Sequence, residues 1–468
     1  MDLATRPWQG AGMATPPAPT RPLAAIILAA GQGTRMKSDT HKVLHPIAGR
    51  PMLLHLIDSV AAAGASRSVV VVGAGREQIE AIVAPLGITT ALQAEQLGTA
   101  HATLQARDAL ADFDGTVIVC FGDTPFLRAE TVAAMAARLE AVDAPRIVML
   151  GFRPDDAKAY GRIIADADGA IRKMVEFKDA SDAERAVDLC NSGVTAIRAA
   201  DLWPLLDRVD NANAAGEYYL PDIVMLALSD GDRAVVIETG ADEVIGVNSR
   251  TELAYAEGRW QTARREAVMA AGVSLIAPET VWFAHDTVIG RDVTIEPNVW
   301  FGPGVTIADR ATIRAFSHIE GATIGERAEV GPYARLRPGA VLGEKSKVGN
   351  FVEVKKAVLG KGAKANHLSY IGDAEVGANA NIGAGTITCN YDGFFKYQTV
   401  IGEGAFIGSN SALVAPVTIG AGAIVGAGAV ITKDVEADAL ALVRPEQRAK
   451  PGWAKRFREI MTAKKKGS

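Results

Sequence analysis

An apolar residue at every sixth position, sustained from Ile289 onward, is the feature that most narrows the folds open to this chain. One register runs Ile289, Ile295, Phe301, Ile307, Ile313, Ile319. A slip of one residue starts a second, Ile324, Val330, Leu336, Leu342, Val348, Val354. A third runs unbroken through Ile401, Ile407, Leu413, Ile419, Val425 and Ile431. An α-helix repeats near 3.6 residues and a strand at 2, so this period demands short strands separated by regular turns. The Gly, Ala and Asp residues beside the apolar positions suit such turns. Arrays of this kind are hexapeptide β-helices, solenoids whose coils bury one continuous core between them. The periodicity alone leaves the hand of the coil open.

At 468 residues the chain is too long for one ordinary core, so two or three domains are expected. Apolar residues make up 49% and charged ones 22%, a globular rather than a disordered composition. The net charge of -5 argues against bulk nucleic-acid binding, whereas an anionic ligand needs only a local cluster of Arg and Lys. Cys120, Cys190 and Cys389 are scattered and odd in number, which favours a reducing cytoplasm and gives no disulfide or zinc framework. His41 and His45 are four apart, but no HExxH surrounds them and Pro46 follows. No apolar run approaches the roughly 18 residues of a membrane span. Residues 1–22 are Pro-rich without a hydrophobic signal region and read as a disordered leader.

From Leu23 the composition shifts. Strand-like runs (Ala25–Ala30, Val69–Val72, Val117–Cys120, Ile147–Leu150) alternate with helical segments such as Met52–Ala63, closed by Gly64. That alternation predicts a mainly parallel sheet with helices on both faces, and ligands gather at the carboxyl ends of its strands. The first strand runs into Gly31-Gln32-Gly33-Thr34-Arg35-Met36, where glycines let the backbone approach a phosphate. A Rossmann dinucleotide site would want a third Gly at Arg35 and an acid after Val72, where Gly73 stands. A Walker loop would need Gly-Lys-Ser/Thr. Arg35 can neutralise a leaving pyrophosphate, and Lys42 follows at the distance of a second phosphate contact. The next buried run ends in Phe121-Gly122-Asp123, and an Asp at such a mouth is either a helix cap or a Mg²⁺ ligand.

Leu28-Ala29-Ala30-Gly31 with Gly33-Thr34-Arg35-Met36, then Lys42-Val43-Leu44, Gln93–Thr99 and Gly122-Asp123, resembles the sugar-nucleotide pyrophosphorylases. By that resemblance Gln93, Gly98 and Thr99 read uracil, Gly161, Glu176 and Asn191 bind the amino sugar, and Asn248 joins Asp123 on the metal. Phe177 and Ser192 depart from the polar residue and the Thr usual there. Ser249-Arg250-Thr251-Glu252 is a capping box that opens a helix with Leu253, Trp260, Ala263 and Ala267 on one stripe and Gly272 at its end.

Beyond Val354 the six-residue pattern breaks, over 355–396, into a stretch rich in reactive groups: Lys355, Lys356, His367, Tyr370, Asn381, Asn390, Tyr391 and Lys396. Interruptions of a regular array are usually functional loops. His367, near cations, is a candidate general base for acyl transfer to an amine, since imidazole titrates near neutrality. Chains with this repeat resemble the left-handed, three-sided β-helix of acyltransferases, an exception to the right-handed crossover rule. Lys364–Tyr370, Asn381–Gly385 and Cys389–Gly393 are similar to the bacterial bifunctional N-acetylglucosamine-1-phosphate uridyltransferase/glucosamine-1-phosphate acetyltransferase family. The combined matches span about residues 23–450.

That resemblance implies an α/β nucleotidyltransferase domain (a Rossmann-like mixed sheet, 23–250), a linker helix (251–271) and a left-handed parallel β-helix (272–450), with a basic tail at 451–468. It implies that Arg337, Lys355 and Lys396 hold the sugar phosphate, Tyr370 and Asn381 position the sugar, and Glu353 assists or orients His367. Acetyl-CoA would lie along Ala384, Asn390, Tyr391, Ser409, Ala427 and Arg444, and Phe394-Phe395 depart from the residues common in that loop. Mg²⁺, UTP and acetyl-CoA are the implied cofactor and co-substrates, the product feeding peptidoglycan and lipopolysaccharide synthesis. A cytoplasmic homotrimer without nucleic-acid or stable membrane partners is expected, with the basic tail solvated. Two rivals are a monofunctional sugar-1-phosphate nucleotidyltransferase with a structural or regulatory β-helix, and a non-enzymatic assembly protein. His367 with Arg337, Lys355 and Lys396 speaks against the first, and the Gly31–Arg35 loop with Asp123 against the second.

Overall fold

A computed structural model describes residues 21–31, 33–157, 160–443 and 446–466. The expected leader therefore falls outside the described residues up to position 20, as does Arg444 of the expected acetyl-CoA set. The chain divides into two compact units between Ala267 and Val268.

In the first unit the alternating apolar runs form one twisted sheet. Its main strands lie in the order Ala234–Thr239, Ile147–Phe152, Cys190–Arg198, Thr116–Phe121, Leu23–Ala29, Ala65–Val72, Thr89–Leu92. Cys190–Arg198 runs antiparallel to both neighbours, and the other pairs on this path are parallel. Successive residues of Leu23–Ala29 feed opposite faces: Leu23, Ala25, Ile27 and Ala29 enter one apolar layer, Ala24, Ile26 and Leu28 the other. Both faces are thus covered, as a mainly parallel sheet requires. The helix Met52–Ala62 covers one of them with Leu53, Leu56, Ile57 and Val60, spaced for a 3.6-residue repeat, and Gly64 follows at φ 97°.

The helix Arg250–Ala270 opens as its sequence predicts. The Glu252 N–H donates to Ser249 Oγ at 3.3 Å, while the Glu252 carboxylate reaches one residue further back and accepts from the Asn248 N–H at 2.8 Å. Of the expected stripe only Trp260 is fully buried, joined by Ala256, Gln261 and Val268. Gly272, at φ 96°, donates to the Met269 carbonyl and ends it.

In the second unit short strands, most of them two or three residues long, stack in parallel into three columns, one coil above another. All the six-spaced residues of the three registers are buried except Ile289, which is half-buried in the first coil. Residues at the coil corners take left-handed backbone, among them Asn298, Phe316, Tyr333, Phe351 and Leu368.

The stretch 355–396 is not a loop, contrary to the sequence reading. Glu353–Leu359, Lys364–His367, Tyr370–Val376, Asn381–Ile382 and Ile387–Cys389 continue the columns in register. The pattern fails because successive coils here all advance by 17 residues, so the register slips at every turn rather than once, and because Ala365 and Thr388 take inward places held elsewhere by larger aliphatics. The Thr388 hydroxyl is satisfied on the Gly372 backbone, accepting from its N–H at 2.8 Å and donating to its carbonyl at 3.0 Å. Only the segment from Asn390 to Gln398, between the strands Ile387–Cys389 and Thr399–Ile401, leaves the coil.

Candidate active sites

In the first unit, the carboxyl ends of Leu23–Ala29 and Thr116–Phe121 meet the short turn Lys42–Leu44 and the segment before Arg250. Lys42 Nζ donates to Asp123 Oδ2 at 2.5 Å and to Asn248 Oδ1 at 3.0 Å. Two oxygens from residues far apart in sequence thus converge on one ammonium, with Lys42 and Asp123 largely shielded from solvent. Gly33 makes this approach possible: at φ 63°, a Cβ on it would lie 2.5 Å from the Lys42 Cβ. Gly122 donates to the Leu28 carbonyl and packs against Val43 and Ala29. Arg35 is exposed on the turn Thr34–Met36 beside them.

The expected uracil residues lie along the next strand ends. Gln93 is buried, its backbone N–H on the Val72 carbonyl and its side-chain amide donating to the Gly98 carbonyl at 3.1 Å. Gly98 sits at φ 116° because the Tyr218 backbone passes it, and Thr99 Oγ1 accepts from the Leu220 N–H at 2.8 Å. Gln96, which the sequence did not single out, donates to the Ala30 carbonyl at 2.6 Å and ties this segment to the glycine loop.

Gly161, Glu176 and Asn191 line one small pocket together with Arg162, Pro221 and Asp222. A Cβ at Gly161 would lie 2.9 Å from Glu176 Oε1, so the glycine is what admits the carboxylate. Phe121 packs its ring on Gly193 behind Asn191. Asp222 was missed by the sequence reading. Burial, then the Asp210 and Asp179 charges, push its carboxyl up to about 6. Burial and the Asp222 charge also raise Glu176. The two departures acquire reasons: Phe177 is capped by the Arg185 and Arg162 guanidinium groups at 4.7 and 5.6 Å, and Ser192 donates to the Leu150 carbonyl at 2.7 Å.

The solenoid sorts its expected residues into two groups. His367 stands at a corner, directly across the coil pairing from Asn350, whose Oδ1 lies 2.6 Å from His367 Nδ1. The same corner carries Ala384, Ser409 and Ala427 on later coils. It is stitched by Gly385 N–H to His367 O, Asn410 N–H to Ala384 O and Gly428 N–H to Ser409 O. The general-base candidate and three of the acetyl-CoA candidates thus form one column, with Asn381 three residues before Ala384.

Beyond the Leu368 corner lies the second group. Glu353 pairs with Arg337 at 2.8 Å and adjoins Tyr370 in register, so within one chain it engages Arg337, and it is Asn350 that bonds the His367 ring. Lys396 contacts Lys355 and pushes its ammonium down, with Arg337 adding to the effect. Lys396 also lies 6.0 Å over the Tyr391 ring, and Asn390 is held by Asp373. Phe394 and Phe395 are exposed, their N–H groups both on the Asp392 carboxylate at 2.7 Å, which sets the shape of that loop. Asn350, one 17-residue coil before His367, was also missed.

Among the described residues no cluster of three or more His, Cys, Asp or Glu could hold a metal. A Mg²⁺ ion does not need one. It takes one or two carboxylates or amide oxygens with water and phosphate for the rest, and Asp123 Oδ2 with Asn248 Oδ1, already converging on a cation, fit it.

Residues 25–170 match the MobA-like NTP transferase domain, and residues 286–321 and 398–433 match the bacterial transferase hexapeptide (six repeats). Proteins named "Bifunctional protein GlmU" are similar over nearly the whole chain. That of Rhizorhabdus wittichii is 68% identical, covering 95% of this chain and 98% of its own. That of Sphingopyxis alaskensis is 65% identical with the same coverage, and that of Zymomonas mobilis 60%, covering 94% and 98%.

Proposed function

The chain belongs to the GlmU family of bifunctional proteins, and from that premise we propose how its two units divide the work. The protein is a bifunctional enzyme, an acetyltransferase and a uridyltransferase. The solenoid acetylates glucosamine 1-phosphate with acetyl-CoA. The first unit then joins N-acetylglucosamine 1-phosphate to UTP, releasing pyrophosphate and UDP-N-acetylglucosamine. What carries this reading is a pair of sites of unlike chemistry in one chain: oxygens converging on a cationic point at Asp123 and Asn248, and an imidazole column at His367.

For uridyl transfer, an oxygen of the sugar phosphate attacks the α-phosphate of UTP in line with the departing pyrophosphate. The glycine loop after Ala30 approaches the phosphates, while Lys42 and Arg35 compensate charge on them. Asp123 and Asn248 would hold Mg²⁺, which supplies charge neutralisation on the phosphates when bound. Gln93 and Thr99 face the base, and Glu176 and Asn191 the amino sugar.

For acetyl transfer, the Asn350 side-chain amide oxygen can only accept, so it keeps the proton of His367 on Nδ1. That leaves the Nε2 lone pair to take a proton from the sugar amine as it attacks the thioester carbonyl. Arg337, Lys355 and Lys396 bind the sugar phosphate, whose charge relieves the repulsion between the two lysines. The acetyl site forms between copies in a homotrimer. Supporting this are the separation of the two groups by the Leu368 corner and a ladder of exposed apolar side chains on that corner: Phe316, Tyr333, Phe351 and Leu368, each about half exposed. The cytoplasm is the compartment of these substrates.

Incubating the purified protein with glucosamine 1-phosphate, acetyl-CoA, UTP and Mg²⁺, omitting one at a time, tests the reading. Asp123→Ala should abolish uridyl transfer and leave acetylation nearly intact, since the two sites lie in separate units and share no residue. Equal loss of both activities in a folded variant would sink the two-site assignment.

A further inference from the structure

The basic segment at the end of the chain folds as a helix, Trp453–Lys466, every residue of which is exposed. Its apolar residues are not scattered. Trp453, Phe457, Ile460 and Met461 recur at helical spacing and form one band along the axis. The Trp453 and Phe457 rings stack at 5.1 Å with their planes 8° apart, which fixes the start of that band. At 100° per residue, Arg456 flanks the band on one side, Arg458 and Lys465 flank it on the other, and Lys464 closes its far end. The helix carries six cations, Lys455, Arg456, Arg458 and Lys464–Lys466, against the single acid Glu459, in a chain whose net charge is -5.

Three kinds of surface could take such a face. A stable protein interface buries about 800 Å² per partner, far more than four side chains on a helix about 21 Å long supply. A lipid surface asks less: a shallow apolar band beneath the headgroups, with Lys and Arg stems spreading sideways to anionic lipid. Ile460 and Met461, which complete the band, have no use against a nucleic acid, which would favour the cations and rings alone. We propose that the helix Trp453–Lys466 is a reversible docking element for an anionic lipid bilayer surface. It lies in the interface, since no helix among the described residues is long and apolar enough to cross a membrane.

The test is sedimentation of the full chain with vesicles of phosphatidylcholine alone or mixed with phosphatidylglycerol. The expected result is pelleting only with the anionic vesicles, weakening as salt is raised. Replacing Lys464, Lys465 or Lys466 by Gln should weaken partitioning about five-fold per residue. Phe457→Glu should abolish pelleting while both enzymatic activities stay at the level of the unaltered protein, which shows that the variant is folded. Failure to pellet with anionic vesicles would overturn the proposal. So would pelleting that Phe457→Glu leaves unchanged, or binding to single-stranded DNA at least as tight as to the vesicles, because either marks a merely polyanion-binding tail.

Discussion

Single side chains decide the chemistry, and Asp222 shows how far burial reaches. Its carboxyl rises from 3.8 to about 6 through burial and the charges of Asp210 and Asp179. The helix Asp222–Ser229 that it opens works in the other direction, but a helix end is worth only about 0.3–1 kcal/mol. A carboxyl whose folded pKa is raised contributes stability that is fully present below its unfolded pKa and lost as pH rises through the folded value. Asp222→Asn should therefore raise the thermal midpoint of the first unit at pH 8 and match the unaltered protein near pH 4. With the partial exposure of the group discounted, a gain of about 2–4 °C is expected, the shift that about 1 kcal/mol makes in a unit of this size. Differential scanning calorimetry across that pH range reads it. A gap that persists unchanged at pH 4 would refute the assignment. His367 is governed by a different partner. Asn350 holds its tautomer, so Asn350→Ala should lower the acetyl-transfer rate while His367→Ala lowers it further, by roughly 10²–10⁴-fold.

At the scale of elements, the glycine loop and the coil corners do the positioning. Gly33 combines left-handed backbone with a contact that leaves no room for a methyl group against Lys42. Gly33→Ala should therefore displace Lys42 from Asp123 and Asn248 and cut uridyl transfer at least about tenfold, with acetylation unchanged. Paired initial-rate assays on one preparation check this, and parallel loss of both activities would mean global unfolding instead. In the solenoid, the corner joining Asn350, His367, Ala384, Ser409 and Ala427 was invisible to a six-residue period, because only backbone pairing between coils aligns residues at such unequal separations, from 17 to 25. The period did locate side chains that turn inward in the regular coils, every one of them buried but Ile289. It failed between 355 and 389, where one 17-residue coil follows another and smaller residues turn inward.

At the scale of the whole molecule, the two groups proposed for the acetyl site lie on different sides of one corner, beside a ladder of exposed apolar side chains. If copies complete the site, His367→Ala and Asn390→Ala proteins, each inactive in acetylation, should partly restore activity when mixed under subunit exchange. Mass measurement should show trimers, and no recovery in demonstrably mixed trimers would refute a shared site. Uridyl transfer should be indifferent to the mixing, because Lys42, Asp123 and Asn248 all come from one unit of one chain.

The sequence by itself determined the two architectures, since a six-residue apolar period and alternating strand and helix patterns admit few folds. It also singled out the glycine loop, Lys42, Asp123 and His367, whose residue types are rarely needed for packing alone. Tertiary structure decided the rest. Nothing local marks Asn248 as a partner of Lys42, which stands 206 residues before it, or Gln96 as a tie to Ala30. Pattern cannot make Asn350 rather than Glu353 the partner of the imidazole either, because that depends on where each coil turns its corner. Periodicity reports which side of an element faces a core. Which polar atoms then meet is set by how coils and strand ends stack, and that exists only in the folded chain.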